Sequence, residues 1–284
     1  MAKKPSIAIV GAGRLGTGLA LALKAVGYPV SEIVSREGSQ SRQKARKLAR
    51  SIGAQPVVLP KQSLDSDLLW ICVPDREIGF IANEIATKKV WDGKAAFHSS
   101  GALASDELTP LRKRGVAVAA VHPLMTFVAS TKPSLKGVPF GLEGDVPALK
   151  LARSIVRDLG GSTFLLPKRA KVAYHAWGAF LSPLLIALLV GSERVAQSAG
   201  LGQAQARKMM VPILKQTIAN YSILGPTGAF SGPIVRGDLH VVKKHLEVLR
   251  RTPEARDVYL ALARVAIRHL PVEQRQKLRK ALTR

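Results

Sequence analysis

The chain of 284 residues is poor in acid and almost without cysteine. Asp and Glu number 19 against 43 Lys and Arg, a formal charge of +24 at pH 7. The single thiol, Cys72, cannot close an intramolecular disulfide, which excludes a disulfide scaffold and points to a reducing, cytoplasmic setting. Long apolar runs are also missing. The longest, "AWGAFLSPLLIALLV" at 176–190, falls short of the roughly 20 residues needed to span a bilayer and contains Pro183. It reads as a core or subunit-interface helix, with no membrane partner. Lys3 and Lys4 ahead of "IAIVGAG" mimic a secretory signal, but Gly11, Gly13 and Arg14 break the apolar run, as a buried first strand would. Neither zinc-ligand spacing, an aromatic platform nor a helix-turn-helix pattern is present. No metal site is therefore expected, and nucleic acid is set aside as a partner. The cationic excess, spread along the chain, reads as a solvated surface that draws in anionic cofactors and substrates.

What is present is apolar material in a regular rhythm: 47% of residues are hydrophobic, enough for a sizeable core. Short strand-like runs are predicted at Ile7–Val10, Glu32–Ser35, Gln55–Leu59, Leu68–Val73, Ala95–His98, Val116–His122, Val138–Leu142 and Ser162–Leu165. Helical patterns intervene, among them Leu15–Val26, Ser41–Ile52 and Ile78–Ala86. Alternation of this kind predicts an α/β fold with a doubly wound, mainly parallel (Rossmann) sheet. After Pro167 the pattern turns helical throughout: Arg169–Ala199, Ala204–Leu224, Leu239–Arg250, Pro253–His269 and Val272–Leu282, punctuated by Gly200, Gly225, Gly232 and Pro271. Two domains are expected, a dinucleotide-binding domain over 1–166 and an all-helical substrate and dimerisation domain over 167–284.

The first strand runs into Gly11-Ala12-Gly13-Arg14-Leu15-Gly16, which opens the first helix. Alone, GxGxxG is weak evidence. In this position Gly11 permits the tight turn, Gly13 lets the backbone approach a pyrophosphate, and Gly16 allows close helix–strand packing. Amides at the helix start then face the anion, aided by the helix dipole. Cofactor choice is read at the end of the second strand, where an NAD site carries an acidic residue. Here Ser35-Arg36 stands at that end, while Glu32 falls near the strand's start, and Arg42, Lys44 and Arg46 add positive potential. A guanidinium and a hydroxyl suit the 2′-phosphate of NADP(H).

Later strand ends add polar groups. Val73-Pro74-Asp75 follows the fourth strand, beside the expected ligand crevice, where Asp75 either caps the next helix or meets the cofactor. His98, Ser99, Ser100 and Gly101 follow the fifth strand, and His122-Pro123 the sixth. Imidazole can exchange a proton with a substrate near neutral pH, and a serine hydroxyl can steady the reacting oxygen. The bland alternatives are an ST-turn and structural histidines. In "PKRAKVAYHAWGAF" Lys171 and His175 lie four apart, hence on one helix face bordering either a cavity or solvent. Arg236 and Asp238, on a Gly/Pro-rich loop, form either an internal ion pair or an anion-binding site.

The stretches "GAGRLGTGLA", "VPDREI", "FHSSGALASDEL", "HPLMTF", "KVAYHA" and "GPIVRGD…VVKKHL" together resemble a family of Rossmann-like proteins with a helical C-terminal domain of unknown function. That family is described as NADP-dependent or deazaflavin-linked oxidoreductases, with a fold similar to pyrroline-5-carboxylate reductase, prephenate dehydrogenase and the β-hydroxyacid dehydrogenases. The resemblance to prephenate dehydrogenases implies that Ser99 or Ser100 and His122 meet a substrate hydroxyl. The resemblance to β-hydroxyacid dehydrogenases implies a catalytic Lys171, although His175 replaces the expected Asn. Ser182-Pro183 and Trp177 also depart from the family pattern.

These observations combine into one expectation: an NADP(H)-dependent oxidoreductase acting on a small anionic hydroxy, keto or imino compound at a cleft between domains. Gly11, Ala12, Gly13, Arg14, Leu15, Gly16, Ser35, Arg36, Val73, Pro74 and Ser99 are the expected cofactor contacts. His122, Ser100, Lys171 and His175 are the expected catalytic set, Arg236 and Asp238 the substrate contacts. A homodimer through the helical half is expected. The alternative is an NADP(H)-binding sensor that kept the fold without the chemistry.

Overall fold

The computed structural model describes residues 3–128 and 134–283. Eight strands form one sheet: β1 (Ile7–Val10), β2 (Val30–Arg36), β3 (Gln55–Leu59), β4 (Leu68–Ile71), β5 (Ala95–His98), β6 (Ala117–Pro123), β7 (Pro139–Gly144) and β8 (Ser162–Leu165). Their spatial order is β3-β2-β1-β4-β5-β6-β7-β8. Neighbours pair in parallel except β6 and β7, which run antiparallel with His122 opposite Gly141. The order reverses between β1 and β4, so the crevice beyond their carboxyl ends is the switch point where such sheets bind ligands.

Helices α1 (Arg14–Ala25), α2 (Ser39–Ile52), α3 (Asp75–Lys88), α4 (Thr109–Arg112) and α5 (Val146–Asp158) cover the sheet. In the central strands β1, β2, β4, β5 and β6 both faces contribute to buried cores, one on each side of the sheet. Ile7 and Ile9 join Leu19, Leu23, Trp70, Phe97, Phe140 and Ile155 in one core. Ala8 and Val10 join Val34, Ile71, Ile78, Ile81, Ile85 and Val118 in the other.

The remaining helices are α6 (Lys171–Leu181), α7 (Pro183–Ser198), α8 (Gln203–Ala229), α9 (Leu239–Val248), α10 (Pro253–His269) and α11 (Arg275–Leu282). The chain divides into compact units at Met1–Ala179 and Phe180–Arg284, later than the change of pattern at Pro167. The reason is that the first turns of α6 pack on the sheet: Tyr174 is buried against Phe164 and Gly141, and Lys171 bonds the loop after β5. The single helix expected over Arg169–Ala199 is two, because Ser182 leaves helical geometry (φ −128, ψ −82) just before Pro183. The helix expected over Ala204–Leu224 continues to Ala229 across a kink at Gly225, whose φ of +68 favours glycine.

The second unit has its own small core, where Val242, Leu246, Leu260, Ile267, Leu278 and Leu282 of α9–α11 meet. By contrast, α7 buries only Glu193, bonded by Arg207 and Gln203, and α8 only Ala206. The core reading of the 176–190 stretch is therefore corrected: Leu184, Ile186 and Val190 are at least half exposed. Within Lys168–Ser198 an 18-residue window of mean hydropathy 1.6 meets the composition of a membrane span, even though Ser182 interrupts the helix.

Candidate active site

The loop after β1 is built by its three glycines for three different reasons. At Gly11, φ is +100 and an added Cβ would lie 2.7 Å from the Cys72 carbonyl oxygen. At Gly16 it would lie 1.9 Å from the Gly11 carbonyl oxygen, so α1 packs on the loop only without a side chain. At Gly13 nothing lies within 4 Å of that position, and the residue is exposed. Gly13 caps α1 with no side-chain hydrogen bond, leaving first-turn amides for a ligand.

Beside this loop lies a pocket of about 260 Å³, lined by Gly11, Ala12, Gly13, Ser35, Arg36, Val73, Pro74, Gln40, Ser41 and Lys44 among others. Seven expected cofactor contacts thus meet in one cavity. Arg14, Leu15 and Gly16 do not line it; they form the first turn of α1, with Gly16 buried beneath. Ser99 does not line it either, and its hydroxyl accepts from the Trp70 indole at 2.9 Å. Glu32 is buried mid-strand, accepting from Ser66 Oγ and from the Asp65 amide, far from the strand's end. Open space over Gly13, glycines where side chains would collide, uncapped amides and a basic pocket wall all fit a dinucleotide diphosphate.

A second cluster stands at the ends of β5 and β6. Tyr174 lies over Gly141, where an added Cβ would come within 3.4 Å of its ring, and its hydroxyl sits 2.8 Å from His122 Nδ1. The His122 and His175 rings are 6.3 Å apart. Gly101 makes room for both: a Cβ there would lie 2.8 Å from His175 Cδ2 and 2.9 Å from His122 Nε2. Lys171, 1% exposed, donates from Nζ to the Ser100 carbonyl at 3.3 Å and has no ion-pair partner among the described residues. The face shared by Lys171 and His175 thus borders the Ser100–Gly101 loop.

Electrostatics follow from burial. Burial, then the Lys171 and His175 charges, push His122 down to about 4, with Asp75 opposing. Burial also lowers Lys171, against the pull of Glu143 and Asp75, and lifts Tyr174 to about 12. The imidazole is neutral at pH 7, and the phenol keeps its proton.

Ser100 and His98 are both engaged within the loop after β5. The Ser100 hydroxyl donates to Asp75 Oδ2 at 2.8 Å and accepts from the Ala102 and Leu103 amides. It forms an ST-turn in which its one donor is spent on Asp75 and its acceptor positions on two amides. His98 is fully buried; Nε2 donates to the Ala104 carbonyl and Nδ1 accepts from the Ser100 amide, so it pins the loop. Asp75 is the first residue of α3, makes no cap, and links the pocket wall at Pro74 to the Ser100 loop. In the second unit Asp238 caps α9 by accepting from the Val241 amide, and it forms no ion pair with exposed Arg236. Sequence reasoning missed Tyr174 and named Gly101 without giving it a role. Tyr174 stands three residues after Lys171, a spacing that shares a helix face, and that was the available signal.

The sequence matches a Rossmann-like domain over residues 2–123 and the family described as Domain of unknown function (DUF2520) over 138–266. A search of curated proteins found no match. Among solved structures, a protein provisionally named an NADP oxidoreductase from Bacteroides fragilis is 20% identical, covering 92% of this chain and 97% of its own, with a TM-score of 0.75. Protein TM1727 from Thermotoga maritima is 24% identical over 98% of both chains, with a TM-score of 0.68. A reductive aminase from Aspergillus terreus, in complex with NADPH and ethyl-5-oxohexanoate, is 17% identical over 96% of this chain and 98% of its own, with a TM-score of 0.64. These likenesses are of fold.

Proposed function

For a chain that joins a Rossmann-like domain to a DUF2520 domain, we propose an NADP(H)-dependent oxidoreductase acting on a small anionic hydroxy, keto or imino compound. The observation that carries this reading is the coincidence of a diphosphate cradle at Gly11–Gly16 with a histidine–tyrosine–lysine cluster at the ends of neighbouring strands. NADP(H), when bound, supplies the hydride acceptor or donor. The Gly13, Arg14 and Leu15 amides would hold the diphosphate, and Ser35 and Arg36, with Lys44 beside them in the pocket wall, would hold the 2′-phosphate.

The acid/base is His122. Neutral at pH 7, its imidazole leaves Nε2 unprotonated to receive a substrate hydroxyl's proton when Nδ1–H donates to Tyr174. In the reverse direction the same nitrogen returns the proton, and an anionic substrate raises its basicity by opposing the Lys171 and His175 charges. Lys171 and His175 orient the substrate anion. Ser100 positions Lys171 through its carbonyl and Asp75 through its hydroxyl.

The exposed aliphatic faces of α7 and α8, with Ile213 at 67% and Ile223 at 79%, support a soluble homodimer joined through these helices. Burying each such side chain contributes about 1.5–3 kcal/mol. The functional test is NADPH oxidation by the purified protein against panels of small keto acids and cyclic imines. Turnover that falls about 10²-fold or more in His122→Ala supports the assignment. NADPH binding without oxidation by any panel member overturns catalysis and leaves a sensor.

A further inference from the structure

Arg36, on which recognition of the 2′-phosphate rests, already has a partner. Its Nη1 lies 2.6 Å from Glu77 Oε2, on the first turn of α3, and its guanidinium carbon stands 6.0 Å from the centre of the Phe80 ring one turn later. Glu77 and Phe80 are three apart, so one face of α3 holds the guanidinium across the end of β2. Glu77 is the less exposed of the pair and also meets Arg76 Nε at 3.4 Å. Lys44 lines the same pocket and forms no ion pair among the described residues.

We infer that Glu77 sets the choice between NADPH and NADH, by neutralising Arg36 until a 2′-phosphate displaces it. The inference rests on the nucleotide reading of the pocket. A phosphate and a carboxylate compete for the same guanidinium nitrogens, since both are anionic acceptors of similar geometry. The neutral 2′-hydroxyl of NADH cannot displace the carboxylate, so NADH binds with the pair intact. NADPH binds only with the pair opened and a carboxylate left beside its phosphate. Glu77 therefore narrows the preference that Arg36 and Lys44 would otherwise impose. Gln at this position keeps the shape and removes the charge.

The experiment is fluorescence titration of the full chain with NADPH and with NADH in four forms: unmodified, Glu77→Gln, Arg36→Gln and the double variant. Glu77→Gln is expected to tighten NADPH about five- to tenfold, the loss of a half-exposed ion pair and of a like charge beside the phosphate. NADH is expected to hold constant or weaken. In the Arg36→Gln background the same substitution removes only the like charge and is expected to tighten NADPH by no more than about twofold, because the rest of the coupling runs through the guanidinium. A Glu77→Gln protein whose NADPH-to-NADH preference holds constant or falls overturns the inference while the nucleotide reading stands. An unmodified protein that binds neither nucleotide overturns both.

Discussion

Two alanine substitutions in the glycine loop separate its structural from its ligand-holding role. In Gly16→Ala the new methyl would lie 1.9 Å from the Gly11 carbonyl oxygen and 3.2 Å from Cys72 Cβ. Backbone cannot rotate away, so the cost is that of overpacking against a rigid wall, about 3 kcal/mol or more. For a protein of this size each kcal/mol moves the midpoint by about 2–4 °C, giving a fall of about 6–12 °C. In Gly13→Ala the methyl meets nothing within 4 Å, and φ is −76, which any residue adopts. Stability should change by less than about 1 kcal/mol. That methyl nevertheless occupies the space a diphosphate must enter, so NADPH affinity should fall about tenfold or more. Thermal melts read the first effect, and fluorescence titration the second. A Gly13→Ala protein that melts normally and binds NADPH at full affinity would refute the cradle.

Other expectations follow from the same geometry. Desolvation holds His98 near 4 against an ordinary 6.5, so the unfolded chain takes up its proton first as pH falls. That contribution is complete above about pH 6.5 and is lost toward pH 4, about 2 kcal/mol of it by pH 5. Urea midpoints at pH 7.5 and 5 should therefore differ, the lower pH being less stable; a flat profile contradicts the assignment. Tyr174→Phe removes the partner of His122 Nδ1 and should lower kcat about tenfold with KM little changed. An unaltered kcat would take Tyr174 out of the mechanism. Light scattering at micromolar concentration should give the mass of two chains; a monomer, or partition into a detergent phase, would refute the dimer.

Much of the fold was legible because parallel strands buried on both faces write themselves as short apolar blocks. The bounds read for Ile7–Val10 and Ala95–His98 coincide with β1 and β5, which fit that reason; those read for Gln55–Leu59 and Ser162–Leu165 coincide with the partly exposed edge strands β3 and β8, set off instead by the turn residues around them. The glycine loop was legible for a related reason, since backbone contact leaves a residue-type signature. What sequence hid was partnership. Ser100 and His122 both follow strands, yet one spends its hydroxyl on Asp75 and two amides while the other faces Tyr174, from an element 52 residues away. Gly101 was placed only as following the fifth strand, and its purpose emerges once two imidazoles are seen against it. The pairing of Arg36 was hidden because Glu77 lies on α3, an element apart from β2. The break at Ser182 was missed because proline at the first position of a helix leaves the apolar periodicity on both sides intact.

The most direct measurement is a crystal structure of the protein grown with NADPH. The account predicts diphosphate oxygens within hydrogen-bond distance of the Gly13, Arg14 and Leu15 amides, with the 2′-phosphate at Arg36 and Lys44. A nucleotide bound elsewhere, or a pocket beside Gly13 that stays empty at saturating NADPH, would contradict it.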